Sequence, residues 1–298
     1  MQAVLFLTHI INDYTLSNYR KLKSELNPNE YDVIMILNNY NSELSDFVVP
    51  QDVKYVYQNK THMQEFIDKG YDFRFNYDEL MKMFKNNICL MKYIGQYYEQ
   101  NIRHENEEYN QTFNSNLTLM YFFLHNETKY THYWYVEYDV FFKGNSSVFF
   151  DDMTQNFSDY DFLSQNILHF YEVPWFPLFS VNNDYTSIDK YRQLKSFDAL
   201  CRFSYKALEC IWDSMNSGNR AHFEIVWPTS CYENDLDIGA FDGLFMYKLG
   251  DSYFNKYTNI YCFNGDSVDY GFVVPTSSTK IYHPVKDSTK ANEILMYA

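Results

Sequence analysis

The stretch Thr131–Asn145, THYWYVEYDVFFKGN, decides how the rest of the chain is read. Nine of its first twelve residues are apolar, β-branched or aromatic, the composition of a buried strand. Glu137 and Asp139 stand inside it, with no basic residue before Lys143. Side chains alternate along a strand, so two acids two residues apart point to one side. Like charges at that spacing repel. Burying them costs free energy unless a divalent cation, an Arg or Lys, or backbone N–H groups compensate. The plain alternative is a strand end that reaches solvent.

Working outward, the chain reads as α/β. Ala3–His9 (AVLFLTH) is a continuous apolar run, as in a central parallel strand. Helical spacing follows through Leu16, Tyr19, Leu22 and Leu26, then apolar runs at Tyr31–Asn39 and Val53–Asn59. This order is that of a Rossmann-like half, in which ligands gather at the carboxyl ends of the strands. Thr8 and Asn12 lie there. Helical patterns are also predicted over 78–100, 116–127 and 197–218, a strand over 160–168, and a long loop over 169–196. Residues 222–235 read as strand or turn into a short helix. KIYH at 280–283 reads as a strand with a short helix after it. No repeat or linker divides the 298 residues, so one domain of two joined halves is expected, about 1–145 and 146–298.

A net charge of −15 disfavours nucleic acid as a partner, because phosphate backbones need clustered Lys and Arg. Any bound phosphate must then meet a metal or a few placed cations. The five cysteines form no CxxC, so a structural zinc site is not expected and reduced, cytoplasmic thiols are. The first apolar run lacks a basic flank and is too short to span a membrane, so no transmembrane segment is expected. The N-x-S/T sequons, such as that at Asn116, read as chance in an Asn-rich chain. High Tyr and Phe content carries no sugar-stacking argument by itself.

Four further pieces lie downstream. His283 ends an apolar stretch in IYHPVK, with Lys286 close by, and an imidazole beside a carboxylate suits manganese or a similar ion. Glu224 stands in the apolar segment AHFEIVWPTSC, where a carboxyl could serve as general base. Arg202, in LCRFS, is placed on a helix face where it could bind an anion. Asp242 closes an acidic segment with Asp235 and Asp237. Each has a bland reading too: a surface histidine at a turn, a hydrogen-bonded glutamate, an internal ion pair, a solvated helix start.

Taken in order, these pieces resemble GT-A-fold glycosyltransferases, and within them a loosely characterised bacterial and fungal group. The matching motifs are W-x-x-E-x-D-V at Trp134–Val140, R-x-S at Arg202–Ser204, H-F-E-x-x-x-P-T at His222–Thr229 and H-P-x-K at His283–Lys286. The resemblance implies a GT-A-like mixed sheet flanked by helices. It also implies Mn²⁺ or Mg²⁺ held against the diphosphate of a nucleotide sugar, and a glycan or other hydroxyl acceptor. Asp139 and His283 would be metal ligands, with Glu137 on metal or ribose and Lys286 on phosphate. Thr8 and Asn12 would lie near the base, Arg202 near an anionic group, and Glu224, with Asp242 a weaker candidate, would do acid–base work. Glu137 departs from the family's usual D-x-D. Trp175 and Trp227 are candidates for stacking on the acceptor. A nucleotidyltransferase would carry a Gly-rich loop where LTHIINDYT has no glycine. A glycosidase would set its carboxylates on opposite sides of a bond. A non-catalytic carbohydrate-binding protein is the non-enzyme rival.

Overall fold

The first apolar run forms β1 (Gln2–Thr8), buried along its length. Ala3, Leu5 and Leu7 feed one hydrophobic core, while Val4 and Phe6 feed another. A strand covered on both faces has to sit mid-sheet, which is why it reads as continuous rather than alternating hydrophobicity. A computed structural model describes residues 1–38, 47–71, 115–172, 188–219, 221–240, 258–259, 271–273, 280–283 and 285–296. The helix predicted over 78–100, Asp242 and Trp175 lie outside the described residues.

α1 (Asp13–Glu25) starts in a capping box: the Asn12 side chain accepts the Thr15 N–H at 2.9 Å, and the Thr15 hydroxyl accepts the Asn12 N–H at 3.0 Å. β2 (Tyr31–Asn38), β3 (Tyr55–Gln58), α2 (Lys60–Asp68) and α3 (Ser115–His125) follow. Then come β4 (His132–Glu137), β5 (Phe141–Lys143), α4 (Ser146–Asn156), β6 (Phe162–His169) and β7 (Leu194–Ser204). α5 (Tyr205–Asn216), α6 (Phe223–Glu233), β8 (Ile238–Ala240), β9 (Thr258–Asn259), β10 (Gly271–Val273), β11 (Lys280–Tyr282) and α7 (Ser288–Met296) complete the described elements. Among them no helix is long and apolar enough to cross a membrane.

The main sheet has the order β3-β2-β1-β4-β7-β6-β8. β7 alone runs antiparallel to its neighbours, so the sheet is mixed, as expected. The order reverses beside β1 and β4, where α/β sheets open a crevice outside the strands' carboxyl ends. β5, β11, β10 and β9 form a second, antiparallel sheet, with Ile281 opposite Phe142. This sheet carries the C-terminal segment back to the end of β4.

Three readings are corrected. The helix predicted over 197–218 is a strand followed by a helix. Ser204 is the hinge, its hydroxyl accepting the Ala207 N–H at 3.0 Å as the N-cap of α5. β7 lies between β4 and β6 and is buried nearly throughout, so its apolar run mimics helical spacing. Of the loop predicted over 169–196, residues 173–187 lie outside the described residues, and its end is a 3₁₀ turn, Lys190–Arg192, and β7 itself. Residues 222–234 are helical from the start, with His222 as the N-cap of α6.

The sheet's far edge depends on a close approach. A Cβ on Gly239 would stand 2.8 Å from the Tyr160 ring and 3.1 Å from Leu163. Gly239→Ala is expected to cost about 1–3 kcal/mol, the usual penalty for overpacking. Urea titration checks this, and an unchanged midpoint would show that the ring yields freely.

Candidate metal and acid–base site

β4 ends at Glu137 and the chain turns at once, the Val140 N–H donating to the Glu137 carbonyl at 3.0 Å. Asp139 is therefore not a strand residue on the same pleat as Glu137. The turn, rather than strand alternation, brings the two acids together. The Asp139 carbonyl accepts the Val285 N–H at 2.8 Å, and the Tyr14 hydroxyl donates to the Val285 carbonyl at 2.6 Å. These bonds dock the C-terminal segment on the turn and bring in His283. Its Nε2 lies 3.2 Å from Asp139 Oδ1 and 3.4 Å from Glu137 Oε2. The Phe197 ring packs edge-on against the imidazole.

Asp139 is only 6% exposed. Burial disfavours its charge, but His283 and, further off, Lys286 outweigh burial and hold its carboxyl below the usual range. Burial likewise disfavours a charged imidazole. The two carboxylates overcome it and raise His283 to about 10. Ligand atoms of Glu137, Asp139 and His283 all lie within 4.8 Å of one another. His283 Nε2 at 3.2 Å is the partner of the buried Asp139 Oδ1, so two oxygens and a nitrogen converge on one point. With the imidazole proton displaced by the ion, that donor set fits a borderline divalent cation such as Mn²⁺.

Thr8 and Asn12 lie at the end of β1 as expected, but their side chains are engaged locally. The Thr8 hydroxyl donates to the Ile10 carbonyl at 2.7 Å and Asn12 caps α1. His9, beside them, packs edge-on against Tyr138 at 5.1 Å. Burial lowers its pKa, opposed by Asp139 and assisted by Lys286. Lys286 is exposed and close enough to act electrostatically on both Asp139 and His9.

Glu224 opens α6. Its carboxyl is pushed up to about 8, first by burial and then by the charge of Asp198, with Glu137 adding to the rise and Lys195 and His283 opposing it. His222 Nδ1 lies 3.9 Å from Glu224 Oε2. Burial lowers the His222 pKa to about 3, so this imidazole is neutral and the contact is not an ion pair. Its Nδ1 instead accepts the Glu224 N–H at 3.3 Å.

Two expected residues fall elsewhere. Arg202 is not on a helix. It is fully buried on β7, opposite Trp134, and donates to the carbonyls of Met153, Phe157 and Tyr160. Those carbonyls occupy the guanidinium fork that an anion would need. Trp227 is fully buried and packs against Tyr135, Phe203 and Phe223, so it is core rather than an acceptor platform.

Sequence reasoning missed Asp198, a buried carboxyl on β7 pushed up to about 7 by burial. The available signal was an acid within FDALCRF, a run apolar but for Asp198 and Arg202, obscured by the reading of that run as a helix.

An α/β protein with a carboxylate–carboxylate–imidazole cluster at the crevice of its mixed sheet is the class that fold and site define. No family model and no curated protein matches the chain. Solved structures similar to it include core-mannan synthase A from Aspergillus fumigatus in its Mn/GDP form, 15% identical with a TM-score of 0.37, over 81% of this chain and 72% of that one. They also include the galactosyltransferase LgtC with donor and acceptor sugar analogues, 8% identical with a TM-score of 0.41, over 80% and 72%. A third is mouse xyloside xylosyltransferase 1 in apo form, 8% identical with a TM-score of 0.34, over 81% and 84%. These neighbours are GT-A-fold glycosyltransferases, the class whose motifs the sequence resembles. With TM-scores below 0.5 they carry none of the functional reading, which rests on the site.

Proposed function

We propose that the chain is a metal-dependent glycosyltransferase that moves a sugar from a nucleotide-sugar donor, a UDP-sugar in first place, to a hydroxyl of a glycan or other acceptor. The observation that carries this is the Glu137–Asp139–His283 cluster beside the carboxyl end of β4. Residues 1–145 would form the nucleotide half and 146–298 the acceptor half.

Asp139, His283 and Glu137 would hold Mn²⁺ or Mg²⁺. When bound, that ion supplies positive charge to the diphosphate that leaves the sugar. An acidic chain can thus meet phosphate without a basic surface. Lys286 adds a cation on the same side, stabilising charge as it develops. In an inverting reaction Glu224 would accept the proton from the acceptor hydroxyl, and a carboxyl raised to about 8 is a stronger base than an exposed one.

Calorimetry of UDP with and without Mn²⁺ tests the reading. Binding that requires the metal is expected, and no metal-dependent binding would overturn it. A metal-dependent reaction releasing pyrophosphate rather than UDP would identify nucleotidyl transfer instead. Binding of sugars with no nucleotide requirement would identify a carbohydrate-binding protein.

A pH profile tests Glu224. The base must be ionised, so kcat is expected to fall about tenfold per unit below the midpoint near 8 and to level off above it. Glu224→Gln should lose about 10²–10⁴-fold in kcat and flatten that limb. A limb that survives Glu224→Gln would remove Glu224 from the role.

A further inference from the structure

Behind Glu224 lies a buried hydrogen-bond network. The Asp198 carboxyl is met by two hydroxyls: Ser164 Oγ at 2.5 Å from Oδ1, and Ser196 Oγ at 2.7 Å from Oδ2. Ser164 Oγ also lies 3.0 Å from the Phe197 carbonyl, and Ser196 Oγ lies 3.4 Å from the Glu224 carbonyl. Each serine hydroxyl has one hydrogen to give. Each hydroxyl thus stands between the Asp198 carboxyl and a backbone carbonyl, in a place where Asp198, Ser164 and Ser196 are all fully buried. When protonated, Asp198 can donate to Ser196 and leave the Ser196 hydrogen for the Glu224 carbonyl.

That carbonyl has a reason to seek a donor. Pro228 lies inside α6, four residues after Glu224, and has no N–H to give it. The helix is open at this one rung, and Ser196 is placed to close it. Thr229 fastens the next rung to the same strand, its hydroxyl accepting the Leu194 N–H at 3.0 Å and donating to the Leu194 carbonyl at 3.1 Å.

We propose that Asp198 is a positioning residue for Glu224: through Ser196 it ties the Glu224 backbone to β7, and its charge acts on the Glu224 side chain. This deepens, and rests on, the reading of Glu224 as the proton acceptor. Asp198 is fully buried, so it acts through Glu224 and not on substrate. Besides Asp198, the charged and titratable groups acting on Glu224 are Lys195 on β7, Glu137 at the end of β4, His283 after β11 and His222 at the start of its own helix. Tyr135, Cys201 and Cys231 also neighbour Asp198, and burial holds all three neutral through the physiological range.

The test reads Glu224 directly, by ¹³C NMR of side-chain-labelled glutamate across pH at fixed Mg²⁺, with Glu224→Gln assigning the signal. Asp198→Asn keeps the shape and can still donate to Ser196, but removes the charge. The Glu224 midpoint is expected to fall by about one pH unit, and the acid limb of kcat to move with it. A folded Asp198→Asn protein with an unmoved midpoint overturns the proposal. Ser196→Ala is the second variant. It cuts the tie between Asp198 and the Glu224 backbone, and the Glu224 midpoint is expected to move. An unmoved midpoint there overturns the proposal even where Asp198→Asn fails to fold. Full transfer by Glu224→Gln would sink the reading of Glu224 as base, while the NMR shift would still judge its link to Asp198.

Discussion

Asp139→Asn is expected to lower transfer by at least about a thousandfold, about 4 kcal/mol of transition-state stabilisation, with the fold left in place. The substitution keeps the backbone, so the Val285 N–H still reaches residue 139's carbonyl and the C-terminal segment stays docked. It removes a buried negative charge, the one among the described residues that His283 approaches most closely. On the proposed reading, metal-dependent UDP binding weakens in parallel, measured by calorimetry on the same protein. Chelation of the wild type should reproduce the loss, and added Mn²⁺ should restore it in the wild type but not in the variant. Transfer within a few-fold of wild type, with circular dichroism unchanged, would take Asp139 out of the metal site. Glu137→Gln is expected to be milder, since Glu137 is the more exposed acid and the more distant from His283.

The second large effect is on stability. Arg202→Met should lower the unfolding free energy by about 3–5 kcal/mol, because the carbonyls of Met153, Phe157 and Tyr160 each lose a charged donor inside the core, Met153 and Phe157 keeping only the backbone N–H groups of Phe157 and Tyr160. Methionine fills much of the stem volume, so the loss reports the hydrogen bonds more than a cavity. The guanidinium also stands over the Trp134 ring, 5.7 Å from its centroid, and that contact is lost as well. Urea unfolding checks this, with the midpoint falling at unchanged slope. Arg202→Lys should recover only part of the loss, because one ammonium on a flexible stem cannot reproduce a planar fork toward three carbonyls. A midpoint equal to wild type for Arg202→Met would mean that the carbonyls find other donors. Such a result would bear on stability alone, because Arg202 pairs across from Trp134 and not at the end of β4.

These two residues mark what could and could not be read along the chain. β1 and β2 were legible because a strand buried on both faces leaves an unbroken apolar run. β7 was not, because an equally buried run of eleven residues suits either element until its neighbours are known. Arg202 and Asp198 lie on that strand, so the misread element misplaced one and hid the other. Both are buried polar groups made tolerable by partners that include ones far away in sequence, Met153 for Arg202 and Ser164 for Asp198.

The acids show the same division. The sequence alone determined that Glu137 and Asp139 needed a positive partner, because two carboxylates in an apolar segment are costly wherever it folds. It also determined the candidates, since in an acidic chain few histidines and lysines follow apolar runs. Only the tertiary structure decided how they meet. A turn after β4, not strand alternation, aligns the two acids, and the pairing of β5 with β11 brings His283 across from the far end of the chain. The physical reason is range: charge and hydrophobicity are properties of each residue, while the distance between two of them belongs to the fold.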